Sequence, residues 1–184
     1  MICKGKSVAE IIDGSSRVHA LSHYARLVEY VQPRHFLELG TGQGASGSVI
    51  MSVLPTKSKF TTINHAIPAD YEFGELLIPW ASDKRLTMLV GDTTEPDTVK
   101  KVVGPVDFMF IDTLHEAWQA ATELRLFQSV LENGTLVLVD DLLHNDMMAF
   151  WRSLPYETGV VGGQGLFRYD TGKPYMTEFS KPRF

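Results

Sequence analysis

The chain has 184 residues, 44% of them hydrophobic and 21% charged, with a formal net charge of −5. That is enough for one substantial core and too little for two ordinary domains, and the balance is that of a globular protein, not a disordered one. The acidic balance argues against a broad nucleic-acid surface, no stretch has the length of a membrane span or the form of a secretory signal, and the lone Cys3 cannot form an internal disulfide or cysteine zinc cluster. A single domain over residues 1–184, a reducing cytoplasmic setting and a small-molecule partner are the expectations.

In chain order, residues 18–31 carry Leu21, Tyr24, Ala25 and Val28 on one helical face, so residues 1–34 read as a helical cover ended near Pro33. Five apolar runs of strand length follow, at 36–39, 60–63, 86–90, 106–111 and 135–139, alternating with helical patterns at 45–54, 96–103 and 116–131. This is the rhythm of a parallel sheet with crossover helices. In the 116–131 helix, Ala117, Ala120, Ala121, Leu124, Phe127 and Leu131 share a face, and Asn133-Gly134 is expected to end it. A further helix is predicted over 142–154. Residues 159–169 read as two short strands around a glycine turn, forming an antiparallel edge, and 171–184 as an extended tail.

The first strand runs into Gly40-Thr41-Gly42-Gln43-Gly44 and then a helix, the outline of a nucleotide-cofactor cradle: glycines permit close backbone approach and the helix start offers free N–H groups. Gly42 to Gly47 also fits the G-x-G-x-x-G dinucleotide fingerprint. Glu38 in front of the glycines would repel a pyrophosphate and suits the ammonium of S-adenosylmethionine. At the end of the next strand Asn64 stands where either cofactor would favour an acid for its ribose hydroxyls.

Two further strands end in aspartate, at Asp112 and at Asp140-Asp141. In a parallel sheet these ends share one edge with the glycine loop, and clustered carboxylates call for a proton or a hard cation such as Mg2+. Asp141 reads equally well as the N-cap of helix 142–154. His115, three residues past Asp112, is placed to act as a base or merely to be solvated; His144 has the same relation to the next helix. Met147, Met148, Phe150 and Trp151, with 64–80 and the N-terminal helix, are candidate substrate walls, although their spacing also fits a core face.

With these residues set out, the segment from about Ala20 to Tyr169 resembles a class I S-adenosylmethionine-dependent methyltransferase. Glu38-Leu39-Gly40-Thr41-Gly42-Gln43-Gly44 is similar to that superfamily's first motif. Phe110-Ile111-Asp112-Thr113-Leu114-His115, a long helix, Asn133-Gly134 and Val139-Asp140-Asp141 look like the metal-dependent small-molecule O-methyltransferases of the catechol type and their antibiotic-sugar relatives. The resemblance implies a Rossmann-like, doubly wound, mostly parallel seven-stranded sheet with helices on both faces and an antiparallel C-terminal edge. It also implies cofactor contacts from Glu38, Gly40, Thr41, Gly42, Gly44, Asn64, Gly91, Asp92 and Asp112, Mg2+ on Asp112, Asp140 and Asp141, and catalysis by His115 with Asp112. Asn64 is a departure from the family pattern. Alternatives are a non-catalytic methyltransferase-fold subunit and a nicotinamide-dependent oxidoreductase; the short chain and its tail also allow a homodimer that completes the pocket.

Overall fold

The computed structural model describes residues 20–65 and 74–182. Parts of the predicted cover (1–19), of the 64–80 wall (66–73) and of the tail (183–184) lie outside the described residues.

Helix α1 (Ala20–Val31) leads into β1 (His35–Leu39), α2 (Ala45–Val53), β2 (Lys59–Asn64), a 3-10 turn (Glu75–Trp80), β3 (Leu86–Val90), α3 (Pro96–Val99) and β4 (Val106–Ile111). Then come α4 (Ala117–Phe127), β5 (Leu131–Val139), α5 (Met147–Arg152), β6 (Thr158–Val161) and β7 (Gln164–Arg168). The seven strands form one sheet in the order β3-β2-β1-β4-β5-β7-β6. The first five pair in parallel and β7 runs antiparallel to both β5 and β6, as expected from the sequence. No described helix is long and apolar enough to cross a membrane.

The strands are apolar on both sides because each face is covered, and the period of two sorts alternate residues into two cores. Phe36, Phe60, Phe108, Phe110, Leu136 and Leu138 face α1, α2 and the 3-10 turn, with Phe36 stacked on Phe108 at 4.5 Å. Their neighbours Leu37, Met109, Ile111, Val137 and Val139 face α4 and α5 on the other side. At roughly 1.5–3 kcal/mol for each large side chain buried, these layers dominate the stability of the sheet.

Three predicted boundaries are corrected. Helix α4 stops at Phe127, and Leu131 pairs with Val106 in the sheet; the ladder then resumes at Phe108 and Leu136, leaving Asn133-Gly134 in a bulge. Gly134 is left-handed there (φ 85°), and the Arg168 guanidinium holds its carbonyl at 3.0 Å. The 142–154 helix shrinks to α5, since Asp141 (φ 47°) and Asn145 (φ 44°) have left-handed backbones that no helix accommodates. Asp141 is therefore not its N-cap; Asp146 precedes it, and accepts the Ala117 N–H at 2.8 Å. Finally, helix 96–103 contracts to the four residues of α3.

Met147, Phe150 and Trp151 belong to the core, not to a substrate wall. The tail is no free arm. Its Tyr175 is buried edge-to-face on Phe150 at 5.8 Å, and its hydroxyl lies 2.8 Å from that of Ser153.

Candidate active site

Strand order reverses between β1 and β4, so the loops that follow them diverge above a crevice at the carboxyl edge. Those loops are the glycine loop and Asp112 to Glu116. Gly40 (φ 98°) lies so close to the second that a Cβ on it would sit 1.7 Å from the Asp112 carbonyl oxygen. The glycine is thus required by its neighbour strand as well as by its own turn.

A cavity of about 570 Å³ opens here, and Gly40, Thr41, Gly42, Asn64 and Asp112 line it, five residues of the sequence-derived cofactor set. An adjoining hollow of about 300 Å³ shares His65, Thr93, Leu114 and Gln119 with it and adds Asp92. Glu38, Gly44 and Gly91 stand behind this lining. The missing Cβ of Gly44 makes room for Leu77, and that of Gly91 for the Thr98 hydroxyl.

Glu38 is fully buried, and its two oxygens accept the hydroxyls of Ser46 (2.5 Å) and Thr62 (2.6 Å). The Thr62 oxygen is in turn 2.5 Å from that of Thr41. Burial outweighs these hydrogen bonds and pushes the Glu38 carboxyl up to about 7. Glu38 itself is not part of the cavity lining: it braces the cradle from beneath, and its partner Ser46, with Thr41, reaches the cavity. Asn64 accepts the Gly42 N–H at 3.5 Å, which ties the end of β2 to the loop.

Asp112 and Asp140 follow paired residues, Ile111 and Val139, on adjacent parallel strands, and so emerge side by side. His115 adopts a left-handed backbone (φ 53°) that turns its ring back until Nε2 is 3.1 Å from Asp112 Oδ1. Asn145 donates to its carbonyl at 3.1 Å. The His144 ring stands edge-on 5.9 Å away. The hydrogen bond that Asp112 accepts raises the His115 pKa against the opposing effect of burial.

Ligating atoms of Asp112, His115 and Asp140 all fall within 4.8 Å of one another. The sequence reading had grouped Asp112 with Asp140 and Asp141; the left-handed turn at the exposed Asp141 leaves it outside, and His115 takes the third place. Two carboxylates and an imidazole fit a divalent cation, an all-oxygen ion such as Mg2+ through the aspartates or a nitrogen-tolerant one such as Mn2+ through all three. Asp140 is already held by the Gln164 amide at 2.8 Å and the Tyr24 hydroxyl at 3.4 Å, and desolvation raises its pKa.

Tyr24 and Gln164 escaped the sequence reading because they come from α1 and β7, at opposite ends of the chain. Of the remaining histidines, His23 meets Gln164 and His35 meets Thr61, each at 2.9 Å, while His65 is exposed 4.0 Å from Asp92. His19 lies outside the described residues.

The sequence profile of the family described as Methyltransferase domain matches residues 37–142, more than half of the chain. The chain belongs to that methyltransferase-domain family. No curated protein sequence matches it. Solved structures of the same fold include the Podospora anserina methyltransferase PaMTH1 with SAH bound, at 16% identity and TM-score 0.67 over 82% of this chain and 77% of that one. The Bacillus cereus O-methyltransferase in complex with SAH has 16% identity and TM-score 0.65, covering 91% of this chain and 93% of its own. The Streptomyces achromogenes O-methyltransferase TomG, involved in tomaymycin synthesis and solved with SAM, has 16% identity and TM-score 0.64 over 92% of each chain. This methyltransferase domain thus keeps its glycine loop, Asn64, Asp92, Asp112, His115 and Asp140 inside the matched segment, while Tyr24 and Gln164, which hold Asp140, come from outside it.

Proposed function

We propose that this methyltransferase domain transfers the methyl group of S-adenosylmethionine to a hydroxyl of a small molecule, with His115 receiving the hydroxyl proton. The observation that carries this reading is the close approach of Gly40 to Asp112, which sets one member of the carboxylate–imidazole cluster on the wall of the cavity that the cradle lines. SAM or SAH in the three solved structures above supports the choice of cofactor.

When bound, the cofactor supplies an electrophilic sulfonium methyl, and a divalent ion at Asp112 and Asp140 would lower the pKa of a coordinated hydroxyl. The chain's own residues supply orientation and proton removal. Gly40 and Gly42 give backbone access, Thr41 and Ser46 offer hydroxyls, and Asn64, its oxygen turned to Gly42, has its amide nitrogen left for a ribose hydroxyl. A carboxylate only accepts, so Asp112 fixes the proton of His115 on Nε2 and leaves Nδ1 as the base. Holding the reacting groups in line is the larger contribution, roughly 7 kcal/mol or more in well-oriented systems.

The engagement of Asp140 by Gln164 and Tyr24 favours a second form of the same reading, in which the His115–Asp112 pair works without a metal. Calorimetry with SAM, SAH and NAD, each with and without Mg2+, tests the whole proposal, followed by labelled methyl transfer to a panel of hydroxyl acceptors. Binding of SAM and SAH but not NAD is expected. Failure of both to bind overturns the reading and favours a non-catalytic subunit, and NAD binding alone an oxidoreductase. Loss of transfer on chelation, restored by a divalent ion, separates the metal-assisted form from the metal-free one.

A further inference from the structure

Glu123 has no part in the chemistry above, yet it is fully buried on α4 with three uncharged donors around it. The Thr93 hydroxyl (2.5 Å) and the Gln119 amide (2.9 Å) meet Oε1, and the Thr113 hydroxyl (3.0 Å) meets Oε2. Thr93 follows β3, Thr113 follows β4, and Gln119 lies one turn back on α4. All three line the main cavity, and Thr93 and Gln119 also line the adjoining hollow beside Asp92. A buried carboxylate without a cation is a costly way to join loops that apolar packing would join as well, which points to a task other than stability.

That task follows from its hydrogen-bonding sense. When Glu123 is ionised, each threonine commits its one hydroxyl hydrogen to it and Gln119 turns its NH2 inward, so what the two threonines have left to offer a ligand is oxygen lone pairs, and the Gln119 oxygen is turned away from Glu123. We infer that Glu123 is a specificity-setting positioning residue that makes this wall of the cavity accept hydrogen bonds and not donate them, so that it selects a nucleobase bearing an exocyclic amino group over one bearing a carbonyl there. The inference rests on the S-adenosyl reading of the cavity and adds to it the origin of base selectivity.

The test is calorimetric binding at pH 8.5, where Glu123 is ionised, of S-adenosylhomocysteine and S-inosylhomocysteine, which carry an amino group and a carbonyl at the same ring position, to the full chain. The parent is expected to prefer the amino ligand by at least about tenfold, because a carbonyl set against acceptors leaves buried lone pairs unpaired. Glu123→Gln sets an NH2 against a threonine, frees that hydroxyl hydrogen for the cavity, and should shrink the preference to within about threefold. Gln119→Leu removes one acceptor while leaving Glu123 in place, and should narrow the preference even if Glu123→Gln does not fold. Equal affinity of the parent for both ligands overturns the inference. So does a preference unchanged in both variants but lost in Asp92→Asn, since Asp92 alone would then read the amino group. If the parent binds neither ligand, the S-adenosyl reading fails, and this inference with it.

Discussion

Glu38 and Glu123 share one predicament: both are fully buried, both are solvated only by hydroxyl or amide donors, and burial pushes both up to about 7 from an ordinary 4.5. A carboxyl whose folded pKa is raised keeps its proton in the native state while the unfolded chain has lost it. The stability it contributes is therefore full below about pH 4.5, falls as pH rises toward 7 and is level above. The urea midpoint should drop between pH 5 and 7.5, and Glu38→Gln or Glu123→Gln should each flatten that drop. An identical slope in both variants would place its origin elsewhere. Gly40→Ala sets a methyl 1.7 Å from the Asp112 carbonyl in a left-handed conformation. It should cost about 2–4 kcal/mol by urea denaturation and weaken SAH binding in parallel. At this scale the sequence singled out Glu38 but not its burial or its hydroxyl partners, because a strand residue's environment depends on which helix covers its face. Glu123 left a fainter signal, an acid one turn from Gln119 beside the apolar stripe of Ala120, Leu124 and Phe127.

Elements were read with more success where apolar runs met glycine or polar breaks. The strand at 86–90 and that at 106–111 coincide with β3 and β4, and the glycine-centred hairpin with β6 and β7. Misreadings fell where the backbone turns left-handed at ordinary residues: nothing about Asp141 or Asn145 demands a positive φ. Leu131 suits a helix stripe and a buried strand equally, and pairing with Val106 decides between them. The layered packing makes a sharp contrast testable by denaturation. Phe108→Ala, removing a ring stacked between sheet and helices, should cost about 3–5 kcal/mol, whereas Leu143→Ala, 80% exposed, should stay within about 0.5 kcal/mol.

In the whole molecule, the reversal of strand order between β1 and β4 turns separate motifs into one site. Asp112→Ala and His115→Asn should lower methyl transfer by about 10²–10⁴-fold while SAH affinity stays within about threefold, measured by labelled transfer and calorimetry. Comparable losses of binding would mean that these side chains support the cavity and not the reaction. From the chain alone came the alternation of strands and helices, the cradle and the two strand-end aspartates, because period, glycine and charge are local properties. Only the tertiary structure decided that His115 replaces Asp141 beside Asp112 and Asp140, that Tyr24 and Gln164 hold Asp140, and that Glu38 and Glu123 brace the hollow from behind. Those outcomes depend on how loops from β1 to β7 turn over a shared edge, and no local pattern encodes a contact between residues 140 positions apart.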